Sequence, residues 1–127
     1  MRLLLGAILI VHGISHLVGF VVPWQLVTTP EVPYRTTILA GSVNIGDMGI
    51  RAVGVVWLLL ALAFVVLGVA LLAGIWSYPV ALRVVLASLA ICVIGLPDAR
   101  IGLVLNLLLL VLLVSMNRFG WLQLPAR

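Results

Sequence analysis

His12 and His16 are the residues of this sequence best equipped for chemistry, and they stand four apart. On a helix that spacing puts both imidazoles on one face, one turn apart, with Ser15 beside them and Gly13 and Gly19 close by. Asp98, Gly102 and Asn106 repeat at the same spacing further along and make a second polar stripe. If the two stripes meet, they enclose a pocket lined by His12, Ser15, His16, Asp98 and Asn106. Asp47 and Arg51 would stand at its rim, with Asn44 and Ser42 placed to close it.

Such a group of side chains serves several chemistries. Two histidines at i and i+4 can chelate one metal ion, with Asp98 or Asp47 needed as a third ligand. A haem iron cannot be clamped axially by His12 and His16 from one helix, because both lie on the same side of the porphyrin plane. A haem would need a second protomer. A quinone or other lipid-soluble ligand, hydrogen-bonded by His and Asn, fits with no strict ligand geometry. The plainest alternative is that the histidines tie helices together, donating to Asn106, Ser15 or backbone carbonyls, at about 1 kcal/mol per contact. The sequence has no nucleophile elbow, CxxC or P-loop to suggest catalysis. Nor does it have the deep arginine ladder of a voltage sensor or the midplane acid or lysine of a proton-driven carrier.

The elements that would hold these residues follow from composition. Of the 127 residues, 65% are hydrophobic and 8% charged, with a mean hydropathy of +1.42, against about 25% charged residues in a soluble domain. From Ala52 to Leu82 no residue is charged. Such a surface suits lipid rather than water, so a soluble enzyme, a nucleic-acid binder and a disordered chain are all excluded. The net charge of +4 comes from seven arginines scattered singly at the ends of apolar runs, with Glu31, Asp47 and Asp98 as the only acids. That pattern marks topology and headgroup anchoring, not a nucleic-acid stripe. Lone Cys92, inside an apolar stretch, reads as a packing residue.

Charges and prolines divide the chain into four apolar segments, about 3–22, 50–75, 80–96 and 99–116, each near the ~20 residues a membrane helix needs. Pro23 closes the first, which is read as an uncleaved membrane helix. Asp47 serves as N-cap of the second and pairs with Arg51 one turn on, and Gly74 ends that helix. Arg83 must snorkel from the third, and Asp98 opens the fourth with Arg100 beside it. The fold class expected is therefore all-α, a single domain forming a membrane four-helix bundle. On the second helix Gly54, Ala61 and Gly68 recur every seven residues and allow a neighbouring helix to come close.

An even number of spans puts both termini on one side. That side carries Arg2, Arg83, Arg118 and Arg127 with no acid, while Arg35, Arg51 and Arg100 face Glu31, Asp47 and Asp98 on the other. The positive-inside rule then places both termini in the cytoplasm of a bacterial-type inner membrane. Phe20 and Trp24 fit the outer interface, and Trp76, Tyr78, Phe119 and Trp121 the inner one. The long connection, 23–49, lies outside. Its prolines 23, 30 and 33 exclude a continuous helix, while 36–43 is β-compatible and suits either a small hairpin or a segment lying over the bundle mouth, so the connection is read as a lid or cap.

The run Arg2-Leu3-Leu4-Leu5-Gly6, followed by Gly13-Ile14-Ser15-His16-Leu17-Val18-Gly19-Phe20, resembles the start of the DoxX-like group of small four-helix bacterial membrane proteins. A related set of short membrane proteins opens with a His-Gly-x-x-His-Leu-x-Gly-Phe run, here His12 to Phe20. The resemblance implies an accessory subunit of a quinone-linked or redox-homeostasis complex, although His16 stands where many DoxX-like sequences carry lysine. The expected function is a small membrane subunit binding a quinone-like ligand or a metal in an outward-facing pocket. It would act as a homo-oligomer or within a larger membrane complex. The alternatives are a small-solute carrier or channel, and a purely structural subunit.

Overall fold

Apolar periodicity becomes helix wherever the sequence allows. In the computed structural model, which describes residues 1–121, the elements in chain order are α1 (Arg2–Ser15), α2 (Val18–Val21), β1 (Thr37–Ile38), β2 (Val43–Asn44), α3 (Gly46–Leu72), α4 (Tyr78–Ile94) and α5 (Arg100–Arg118). The fold is all-α apart from the two short strands. Arg2–Val21, Gly46–Leu72 and Arg100–Arg118 are each long and apolar enough to cross a membrane, and Tyr78–Ile94 is a shorter apolar helix. Arg127, one of the expected topology charges, lies outside the described residues.

The first expected helix is interrupted at His16 and Leu17. Their backbone N–H groups bond three residues back, to the Gly13 and Ile14 carbonyls at 3.1 and 3.0 Å. The cause is local: His16 Nδ1 and Ser15 Oγ both donate to the His12 carbonyl, at 2.9 and 2.6 Å, and so take the acceptor that the His16 N–H would use in a regular helix. As expected, the helical segment ends just ahead of Pro23, with Val21 its last helical residue and Val22 its C-cap. A turn follows, which Gln25, at φ +54°, closes with bonds from Gln25 N to Val22 O and from Leu26 N to Val21 O.

The second expected helix begins four residues early, at Gly46, because Asn44 Oδ1 accepts the Gly46 N–H at 3.0 Å. Ile45 is the N-cap, and Asp47 sits inside the first turn without a capping bond. There it still faces the positive end of the helix dipole. Gly74 closes the helix as expected: at φ +79° it lets Gly74 N reach Leu71 O and Ile75 N reach Ala70 O.

α1 and α2 pack along α3, α4 packs on α5, and α3 joins the two pairs. The seven-residue stripe on α3 makes the first seam. A Cβ on Gly68 would meet the Gly6 carbonyl at 2.8 Å, and one on Gly13 would meet the Ala61 carbonyl at 2.8 Å. Ala61 and Gly68 are thus covered by α1, and Gly54 by Pro23 and Trp24. At the end carrying the N-terminus the core is wholly apolar, with Leu5, Leu9, Phe64, Leu71, Val85 and Leu113 among its buried members. At the other end, β1 and β2 form the expected hairpin, with Thr37 opposite Asn44 and Ile38 opposite Val43. Its tip docks on the end of α4, where Leu39 N and Ala40 N each donate at 2.9 Å to the carbonyls of Ile94 and Leu96.

Candidate functional site

The two polar stripes do meet, and they form two distinct structures. The deeper one is a closed hydrogen-bond network. Asn106 donates through Nδ2 to Gly102 O (2.9 Å) and towards Cys92 Sγ (3.5 Å), which leaves its Oδ1 to accept from His12 Nε2 at 3.3 Å. His16 Nδ1 donates to the His12 carbonyl, so its Nε2 accepts from the Ser88 hydroxyl at 2.6 Å. All four side chains are buried, Ser88 and Asn106 completely. Among the described residues no buried side-chain nitrogen or oxygen lacks a partner.

α3 supplies the wall against which the rings pack. Phe64 lies edge-on to His12 with centroids 4.8 Å apart, and Trp57 lies 5.1 Å from His16. The two imidazoles themselves meet edge to face at 4.5 Å. Trp57 is seated by Gly19, where a Cβ would fall 2.4 Å from the indole ring. The network therefore joins α1, α4 and α5 by hydrogen bonds and α3 by aromatic contact.

One turn nearer the hairpin is a pocket of about 280 Å³. Its floor includes Ser15 and His16, its walls Val18, Val53, Trp57, Gly102 and Leu105, and its mouth Asp98. The connecting loop roofs it with Val32, Pro33, Tyr34, Arg35, Thr37 and Ile38. The lid is held at three places. Its tip bonds to the end of α4, Arg35 approaches Asp98 at 3.9 Å, and the Tyr34 hydroxyl donates to Asp47. The Asp47 bond, reinforced by the negative charge beside it, holds the Tyr34 phenol above its ordinary pKa.

Of the residues expected to line the pocket, Ser15, His16 and Asp98 do so, whereas His12 and Asn106 lie below it in the network. The expected rim residues stand apart from it. Asn44 accepts the Gly46 N–H ahead of α3, Ser42 bonds within the hairpin to Leu39 O, and Asp47 is engaged by Tyr34. Arg51 does not pair with Asp47. Its guanidinium lies over the Trp24 ring at 5.8 Å, and its carbonyl accepts from Trp24 Nε1 at 3.2 Å. Asp98 likewise takes Arg35 rather than Arg100, the one ion pair among the described residues.

The expected metal site on His12 and His16 meets a geometric obstacle. The Nε2 atoms point to different partners on different helices, and among the described residues no three His, Cys, Asp or Glu side chains converge. Neither Asp98 nor Asp47 supplies the third ligand. Both rings are buried between packed helices, His12 held through Nε2 and His16 through both nitrogens.

Ser88, Trp57 and Phe64 were not singled out by the sequence. Ser88 is signalled only weakly, as a hydroxyl one turn before Cys92 in an apolar helix, and Trp57 and Phe64 are seven apart on the face of α3 that carries Ala61. The Ser88–His16 couple has the spacing of a nucleophile and its base. Ser88 is fully enclosed and does not border the pocket, however, so the couple joins α1 to α4.

Set beside known proteins, the chain matches no family model, no curated protein and no solved structure.

Proposed function

We propose that this chain is a four-helix inner-membrane protein of bacterial type, with both termini cytoplasmic, that binds a quinone-like, lipid-soluble ligand beneath its outer lid. It would act as a small redox-associated subunit, in line with its resemblance to the DoxX-like group. The observation that carries this reading is the pocket: about 280 Å³, walled by valine, leucine and tryptophan, with a few polar groups placed at its floor and roof. Apolar walls with sparse, fixed polar groups are what a small amphipathic ligand needs. Arg35 and Thr37 offer donors to a quinone carbonyl, and the Ser15 oxygen offers an acceptor to a quinol hydroxyl.

His16 contributes its ring to the floor while both its nitrogens remain in the network. A carrier would need a polar route through the half of the bundle that holds the N-terminus and the end of α5. That half is packed with leucine, phenylalanine, valine and methionine, which favours binding over transport.

Trp57 supplies the test because quinones quench indole fluorescence on contact. Titration of the protein in nanodiscs with a short-chain ubiquinone analogue should give saturable quenching that disappears in Trp57→Phe. Val53→Phe, which fills the pocket, should weaken the apparent affinity at least tenfold. Quenching that never saturates, or that is unchanged in both variants, overturns the reading.

A further inference from the structure

The pocket lining reaches the exposed side of the bundle as well as the roof. α1 and α2 pack on α3, and α5 packs on α4, but neither α1 nor α2 packs closely against α5. Between them the contact is made by side chains, and the polar one is the His12–Asn106 hydrogen bond. Just above that bond, four residues belong to the pocket lining and are also exposed on the outside of the bundle: Ser15 and Val18 on one flank, Ile101 and Leu105 on the other. Val18 is 43% exposed, Ile101 69% and Leu105 43%. Ile101 and Leu105 are one turn apart on the same face of α5. The rim of this gap is thus almost wholly apolar, and it faces the surface that a membrane helix presents to acyl chains.

The outer end is built differently. The lid covers it, and its tip is fixed by two backbone hydrogen bonds to the end of α4. Leu39 and Ala40 adopt left-handed conformations there, at φ +52° and +56°, which residues other than glycine adopt only when other contacts hold them. A covered aqueous end and an exposed apolar side select for molecules arriving from lipid.

We propose that the gap between α1/α2 and α5 is a lateral portal through which a ligand dissolved in the outer leaflet enters the pocket, so that the ligand class is a membrane-partitioned, long-tailed quinone whose tail remains in the portal. The quinone identity rests on the functional reading above. The portal does not, so two measurements separate them.

The first uses lipid alone. The Trp57 contribution to fluorescence, taken as the difference between wild type and Trp57→Phe, is measured in nanodiscs of ordinary phosphatidylcholine and of phosphatidylcholine brominated along its acyl chains. An open portal predicts marked quenching of Trp57 by the brominated chains, reduced at least threefold by Val18→Phe/Ile101→Phe. Absence of Trp57 quenching in wild type overturns the portal, whatever the ligand proves to be.

The second measurement follows the rate at which a long-tailed ubiquinone, delivered in vesicles, quenches Trp57. Val18→Phe/Ile101→Phe should slow it at least tenfold. Ala40→Cys/Leu96→Cys, joined by a short thiol cross-linker to fix the lid, should leave it unchanged. If fixing the lid slows entry and filling the portal does not, the ligand comes through the aqueous end and the portal is overturned. If brominated lipid quenches Trp57 but no quinone does, the portal stands and the quinone reading falls.

Discussion

The hydrogen-bond network and the pocket lie one turn apart, share His16, and use similar residue types, yet they end in opposite states. In the network every buried group has a partner inside the protein: Ser88 to His16, His16 to the His12 carbonyl, His12 to Asn106, Asn106 to Gly102. In the pocket, Arg35 touches Asp98 only at 3.9 Å and at half exposure, and a volume of about 280 Å³ separates floor from roof. Polar residues in an apolar bundle are costly wherever they lie. Those that satisfy each other hold helices together, and those kept apart by apolar walls remain available to a ligand. Substitutions in the two regions should therefore separate stability from binding.

The largest effect is expected where neither region survives. Gly13→Leu would drive a side chain against the Ala61 carbonyl and Phe64 Cβ, 2.8 and 2.9 Å from the first added carbon. The α1–α3 seam must then part, at about 3 kcal/mol, and both the Phe64 wall of the network and the Trp57 wall of the pocket go with it. Thermal unfolding in detergent should show the loss, with quinone quenching falling in parallel.

Within the network, Asn106→Leu orphans the His12 Nε2–H and should cost about 1–2 kcal/mol, measured by the same unfolding assay. Ligand affinity should stay within about threefold, because Asn106 does not line the pocket. The double variant His12→Phe/Asn106→Leu removes both partners and should be less destabilised than the sum of the single changes, since replacing a matched pair by apolar groups is close to neutral. If Asn106→Leu abolishes binding while leaving stability intact, the division between the two regions is wrong.

How much of this arrangement the sequence reveals depends on the range of the interaction. Helices, the hairpin at 36–43 and the Gly74 stop follow from local periodicity and turn chemistry, and all are present. The pairing of His12 with Asn106 is legible because each is a rare polar residue at compatible depth in an apolar segment. Ser88 escapes because one hydroxyl in a leucine and valine run carries no label of depth or partner. The partners of Asp47 and Asp98 escape for a related reason. Local rules offer Arg51 and Arg100, and the folded lid brings Tyr34 and Arg35 instead. The break at His16 was hidden because it comes from two side chains competing for one carbonyl, which helical periodicity does not register.

On the pocket side, Arg35→Leu tests the mouth. An exposed ion pair at 3.9 Å contributes about 0–1 kcal/mol, so unfolding should barely change, and raising the salt should change it as little. Quinone affinity should nevertheless fall about threefold to tenfold if Arg35 donates to a carbonyl. A drop in stability without a change in affinity would move Arg35 from ligand contact to structural clasp.

The smallest effect concerns the root of the lid, where Tyr34 donates to Asp47. That bond exists only while the phenol is protonated, which is why the Tyr34 pKa lies above its ordinary value near 10. For a group whose folded pKa is raised, the contribution to the lid is complete below the ordinary value and is lost as pH rises through the folded one. The lid root should thus be insensitive to pH across the neutral range and loosen only in strong alkali. Ultraviolet titration of tyrosinate in a Tyr78→Phe background isolates Tyr34, and Asp47→Asn should bring its midpoint down towards 10, because the carboxylate acceptor and its charge are both gone. An unchanged midpoint would detach the lid root from Asp47 and leave the tip on α4 as the stronger of its remaining anchors.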